Sequence, residues 1–165
     1  VYTILKRVHI PPRLHWQLAR LYNTHFLLGV AGIITNEAGE LLLFRHTYRN
    51  RHPWGTPGGW MERSESPLAA LEREVYEESA LIIKAERMLL LGTTPDRPKL
   101  EFVVGGRVVG GDFRPSREVS EYGWFARDKL PPLAAFHHHI LRTLDATPPG
   151  ELGWYEAPWL IAHPD

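Results

Sequence analysis

The chain has 165 residues, 44% hydrophobic and 23% charged, which suits one globular domain with modest extensions and excludes a disordered or fibrous chain. Nineteen Lys and Arg balance nineteen Asp and Glu, so no overall field draws the protein to nucleic acid or to a membrane surface. Cysteine is absent, which removes disulfides, thiolate nucleophiles, zinc–thiolate sites and iron–sulfur clusters. The apolar stretch Phe26 to Ile34 is far shorter than the roughly 20 residues of a membrane span. Residues 1–24 carry Lys6, Arg7, Arg13 and Arg20 with no apolar signal-peptide core. A cytoplasmic domain without membrane contact is the expectation.

In chain order, Pro11-Pro12 followed by Arg13 to Tyr22 reads as a short helix, with Leu14, Leu18 and Leu21 at helical spacing. Phe26 to Thr35 is a buried strand, 36–39 a turn, and Leu41 to Arg45 the returning strand of a hairpin. Residues 47–58, rich in Arg, His, Pro and Trp, read as an irregular loop. Ser66 can cap a helix with Pro67 in its first turn, and that helix is predicted to run to about Ser79. Ile82 to Thr94 and Leu100 to Val104 are strands, and Val108-Val109 between two glycine pairs is a short separate one. Tyr122 to Ala126 is a further strand and Pro132 to Leu144 a C-terminal helix. The last twenty residues form a tail of undefined structure. This mixture predicts an α/β fold with a mixed sheet packed between helices.

Charge is segregated along the chain. Residues 1–53 hold seven basic against two acidic side chains, and residues 54–81 hold two against six. A basic segment feeding an acidic one suits a phosphate ligand chelated to a divalent metal, although two solvated surfaces of opposite sign give the same counts. On the predicted helix, Glu74, Glu77 and Glu78 share a face beside the apolar stripe of Leu68, Leu71 and Val75. Carboxylates about 4 Å apart repel by roughly 4 kcal/mol at an effective dielectric near 20. Oxygen-rich clusters of this kind suit hard cations such as Mg2+.

From Gly59 the chain runs five residues to Glu65 and seven more to Arg73-Glu74-Val75-Tyr76-Glu77-Glu78-Ser79-Ala80-Leu81. This resembles the Nudix hydrolase signature G-x5-E-x7-R-E-U-x-E-E-x-G-U, with U apolar, at eight of nine specified positions. The departure is Ala80 in place of glycine, where a left-handed helix exit costs alanine roughly 1 kcal/mol.

The resemblance implies a Nudix-type α/β/α sandwich over residues 25–145, preceded by an extension (1–24) that could serve dimerisation and followed by a tail (146–165). It implies a metal-dependent pyrophosphohydrolase that cleaves a nucleoside diphosphate linked to another group, ADP-ribose-like or a nucleotide sugar. Alternatives are a nucleoside triphosphate pyrophosphohydrolase and a catalytically silent nucleotide-binding module, which would usually have lost box carboxylates. An isopentenyl diphosphate isomerase would need a cysteine, and an RNA 5′-end hydrolase an extended basic surface. Carried over by position, Glu74, Glu77 and Glu78 look like ligands of Mg2+ or Mn2+, joined by the carbonyl of Gly58 or Gly59. Glu74 is also a catalytic candidate, and Arg73 would orient a carboxylate such as Glu65. Glu118, six residues before Trp124, is the first choice for the base, with Glu121 second. Arg45, Arg49 and Arg51 are candidates for the phosphates, and Trp54 and Trp60 for stacking on a base or sugar. Pro95 lies near the position of a proline in ADP-ribose-type relatives. His137-His138-His139 cannot all face one metal from a helix and read as surface and packing residues.

Overall fold

The apolar runs Val30–Ile34 and Leu41–Phe44 do not alternate with polar residues, as strands buried on both faces require. The computed structural model, which describes residues 11, 17–19, 21–94 and 97–157, places both runs in strands between two helices. The elements are β1 (Leu27–Ile34), β2 (Leu41–His46), β3 (Trp54–Gly55), β4 (Gly58–Trp60), α1 (Pro67–Ser79), β5 (Ile82–Thr94), β6 (Lys99–Gly110), β7 (Val119–Phe125), α2 (Ala135–Ala146) and β8 (Gly153–Glu156). One sheet has the order β4-β1-β6-β5-β8 and the other β3-β2-β7. Val30 and Ile34 of β1 join Leu42 and Phe44 of β2 against Leu71 and Val75 of α1. The alternate residues Ala31, Ile33, Leu41 and Leu43 face Ile140 and Leu141 of α2. Strands with a helix on each side make the α/β/α sandwich that the sequence implied.

Several expectations change in detail. β2 does not return along β1: it touches that strand through the single bridge Thr35–Leu41 and pairs with β3 and β7 in the other sheet. The loop predicted over 47–58 contains β3 and the start of β4, an edge strand antiparallel to β1. β6 is continuous through Gly105-Gly106, where β5 carries register shifts and a Cβ on Gly106 would stand 2.6 Å from the Lys84 carbonyl oxygen. The glycines admit the irregular neighbour without ending the strand. α2 starts three residues later than expected, because Leu133 is still extended and bridges Trp54. The tail contributes β8, parallel to β5, so a boundary at 145 passes between the sheet and its last strand. In the predicted N-terminal helix, 17–19, 21 and 22 are helical. The rest of it, most of the 1–24 extension, Pro95 and residues 158–165 lie outside the described residues.

Candidate active site

α1 begins as its sequence dictates, with the Ser66 hydroxyl accepting from the Ala69 N–H at 3.2 Å and Pro67 in the first turn. It ends on Ala80 at φ 58°, in the left-handed conformation that the family glycine would favour, with the Ala80 N–H donating to the Tyr76 carbonyl. The family fold is therefore kept at this exit despite the alanine.

The helix sorts its carboxylates by depth. Glu78 continues the Leu71–Val75 stripe and is 6% exposed, while the Glu77 side chain is 59% exposed and that of Glu74 17%. Burial, reinforced by the charge of Glu74, pushes the Glu78 carboxyl up to about 8. Its Oε2 is buried without a hydrogen-bond partner. Burial also raises Glu74.

Arg73 ties the outer carboxylates together. It grips Glu65 bidentately, Nη2 to Oε1 at 2.8 Å and Nε to Oε2 at 3.2 Å. Nη1 reaches Glu74 at 3.0 Å and Glu77 at 3.3 Å, and Nη2 donates to the Trp60 carbonyl. The hydrogen bonds from Arg73 hold the Glu65 carboxyl below its ordinary value. With the guanidinium between Glu74 and Glu77, no three His, Asp or Glu side chains among the described residues converge on one point. The donor set nevertheless fits a hard divalent cation, for two reasons. Glu78 presents a buried oxygen with no partner. Gly59 lies so close to the Glu74 carboxylate that a Cβ would collide with it, leaving bare backbone beside the carboxylates.

On the α2 side of the same edge strand lies a cavity of about 770 Å3 lined by Arg49, Arg51, Gly58, Gly59, Trp60 and His137, among others. The Arg49 charge acts on Glu78, which links the two sides. Arg49 Nη1 is 3.1 Å from His137 Nε2, and Thr56 Oγ1 is 3.3 Å from His137 Nδ1. A guanidinium can only donate, so Nε2 accepts and Nδ1–H donates to Thr56. Burial, followed by the Arg49 charge, lowers His137 to about 3 and keeps it neutral.

The sequence candidates divide accordingly. Arg49, Arg51 and Trp60 reach the cavity, whereas Arg45 and Trp54 do not line it. Arg45 pairs with Glu121 at 3.6 Å across β2 and β7, and Trp54 stands edge-on to Phe125 in the core. Glu118 is exposed, and its charge acts on both Glu74 and Glu78. Of the three histidines read as surface and packing residues, His138 is exposed and His137 is packed. Its burial, with Lys99 and Glu101 of β6 and Phe136 of α2 on the cavity wall, depends on long-range pairing that no local motif announces.

A carboxylate-bearing helix after a glycine-rich edge strand, within a sheet sandwiched by helices, defines the Nudix class of fold and site. The NUDIX domain family matches residues 25–144, and the chain belongs to the Nudix hydrolase family. It is 32% identical to the ADP-ribose pyrophosphatase of Methanocaldococcus jannaschii, over 74% of this chain and 75% of that one. It is 34% identical to the 8-oxo-dGDP phosphatase NUDT18 of Homo sapiens over 70% of this chain, which spans 37% of that protein. The fold matches a Nudix hydrolase from Nitrosomonas europaea with a TM-score of 0.69 at 19% identity, covering 82% of each chain. It matches an ADP-ribose pyrophosphatase from Streptococcus suis at 0.64 and 24% identity, covering 81% of this chain and all of the other. Among the described residues no helix is long and apolar enough to cross a membrane.

Proposed function

We propose that this Nudix hydrolase cleaves the phosphoanhydride bond of a nucleoside diphosphate linked to another group, ADP-ribose-like or a nucleotide sugar. Mg2+, or Mn2+ in its place, would be held by Glu74, Glu77, Glu78 and the carbonyl of Gly58 or Gly59. The reading rests on one juxtaposition: the Gly58-Gly59 backbone has the α1 carboxylates on one side and a nucleotide-sized cavity carrying Arg49, Arg51 and Trp60 on the other. The names of the relatives support the substrate class, since ADP-ribose and 8-oxo-dGDP are both nucleoside diphosphates.

When bound, the cation would neutralise diphosphate oxygens and acidify a water. The protein's own residues supply the rest. Arg73 fixes Glu65, Glu74 and Glu77 in one network, so the acceptors are oriented before a ligand arrives. Among the described residues Arg49 is hydrogen-bonded to a neutral imidazole and forms no ion pair with a carboxylate, so its charge is available to a phosphate. Trp60, 54% exposed, offers a face for stacking. Glu118 is the base that takes the proton of the attacking water, because Glu121 is engaged by Arg45. The proposal extends to a homodimer, with residues 1–24 as the dimerisation element.

The test is product release across nucleoside diphosphate derivatives and triphosphates with Mg2+, with Mn2+ and with chelator, beside Glu77→Gln. One substrate class well above the others, lost with chelator and in the variant, is expected. Turnover that survives Glu77→Gln would overturn the ligand assignment, and a folded protein that hydrolyses nothing would favour a binding role.

A further inference from the structure

One wall of the cavity has an order that the proposed chemistry uses only at Trp60. Across four strand pairings, Trp60 of β4 lies beside Gly29 of β1, Gly29 beside Glu101 of β6, Glu101 beside Gly92 of β5, and Gly92 beside Tyr155 of β8. Residues in register project from the same face of a sheet. Large side chains therefore alternate with bare glycines along this row. Over Gly92 the space is filled, because the Tyr155 ring occupies it. Over Gly29 no ring stands, but a Cβ there would meet Lys99 Cε at 3.3 Å and Glu101 Oε1 at 3.6 Å, and Gly29, Trp60 and Glu101 all line the cavity. Two strand spacings, about 10 Å, separate the Trp60 and Glu101 backbones, and the Lys99 side chain bridges that gap, so the Glu101 carboxylate meets the cavity beside Lys99.

Glu101 is 8% exposed and is held from two sides. Lys99 Nζ lies 3.2 Å from Oε1, and the Tyr155 hydroxyl donates to Oε2 at 3.3 Å. The same ammonium stands 5.3 Å from the centre of the Trp60 ring and 5.6 Å from that of Phe136. A carboxylate has about four lone-pair sites, so these two bonds leave one on each oxygen. Burying a carboxylate–ammonium pair costs desolvation that its mutual attraction seldom recovers in full. Here the pair sits on a cavity wall with its remaining acceptors side by side. Their spacing is matched by a ligand carrying two donors on adjacent atoms.

Building on the nucleotide-hydrolase reading, we propose that Glu101, held by Lys99 and Tyr155, is a specificity-determining acceptor for two adjacent donors of the substrate nucleotide. Two groups of such a substrate have this chemistry: the N1–H and N2–H2 edge of guanine, and the vicinal diol of a ribose. The ring edge of adenine sets an acceptor beside its donor and would meet one carboxylate oxygen with a lone pair.

The test is calorimetric binding, with Mg2+, of α,β-methylene analogues of guanosine, 2′-deoxyguanosine, inosine and adenosine diphosphates, in which the bridging bond cannot be hydrolysed. Readout of the guanine edge makes both guanine analogues tighter than the other two by about 10- to 100-fold. Readout of the diol makes the three ribonucleotides equal and the deoxy analogue weaker by a similar factor. In either case the preference collapses to the affinity of the weaker analogues in Glu101→Gln. It also collapses in Glu101→Asp, which keeps the charge beside Lys99 but shortens the reach and guards against a folding defect in the first variant. Equal binding of all four, or a preference that survives both substitutions, overturns the proposal. Failure to bind any of them refutes the nucleotide reading itself, and is thereby distinguished from failure of Glu101.

Discussion

His46 allows a quantitative test of what burial does to this domain. It is 2% exposed, and neither ring nitrogen has a hydrogen-bond partner. Burial, and then the charge of Arg49, lowers it from 6.5 to about 3. The unfolded chain therefore takes up the proton first, and the stability involved is present above pH 6.5 and lost as pH falls toward 3. A shift of this size corresponds to roughly 5 kcal/mol in full, or about 1.4 kcal/mol per pH unit inside the window. His137, lowered to about 3 as well, acts in the same direction. Glu78 opposes both: its carboxyl is raised to about 8, so its contribution is present below pH 4.5 and lost as pH rises toward 8. The His46 effect must accordingly be read as a difference between proteins. His46→Leu removes the titration and breaks no hydrogen bond. Urea unfolding with chelator, followed by tryptophan fluorescence from pH 7.5 to 4.5, should show the variant gaining on the wild type below pH 6.5. The gap should reach about 3 kcal/mol at pH 4.5. Parallel stability profiles would refute a neutral, unpaired His46.

Three further outcomes follow from the site. Gly59→Ala should displace the Glu74 carboxylate and lower kcat by about 100-fold or more, with Tm nearly unchanged because the substitution sits on a short edge strand. Steady-state kinetics and a melting curve check both halves. Glu118→Gln should lower kcat by about 100-fold with little change in KM, whereas Glu121→Gln should leave both near wild type. The reverse pattern would move the base to Glu121. His137→Ala should raise KM by about 10-fold with kcat little changed, because it releases Arg49 from a bond worth roughly 1.5 kcal/mol. His137→Gln, which can still accept from Arg49, should restore it.

Helix α1 was legible from sequence because everything that specifies it is local: the Ser66 cap, Pro67, the apolar stripe and the carboxylates at helical spacing. Even the substitution at Ala80 was readable, since the demand for a left-handed residue is a property of one position. The partner of β2 was not legible. A turn between two apolar runs signals a hairpin, but a strand apolar on both faces can leave for another sheet, and β7 lies some 70 residues downstream. The glycine pair in β6 misled for a related reason, because its purpose lies in the bulges of β5 and not in its own segment. The same limit hid the α2-side wall of the site. Glu101 and Tyr155 meet only once β8 has joined the sheet, and His137 meets Arg49 only when α2 lies down on it. Arg45 and Trp54 looked equivalent to Arg49 and Trp60 by composition, and only the fold separates residues facing the cavity from those facing β7 and the core.

The edge strand β4 is three residues long and two of them are glycines. Backbone so thin works as a partition between two rooms. On one side Gly59 abuts the Glu74 carboxylate, and on the other it lines the cavity beside Gly29. The carboxylates proposed to hold the cation come from α1, and the groups proposed to read the ligand come from β6, β8 and α2. A change in one room need not disturb the other, so residues such as Lys99 and Glu101 can drift to suit a different ligand while the carboxylate helix stays as it is. Low overall identity among proteins sharing this architecture is what such a partition permits.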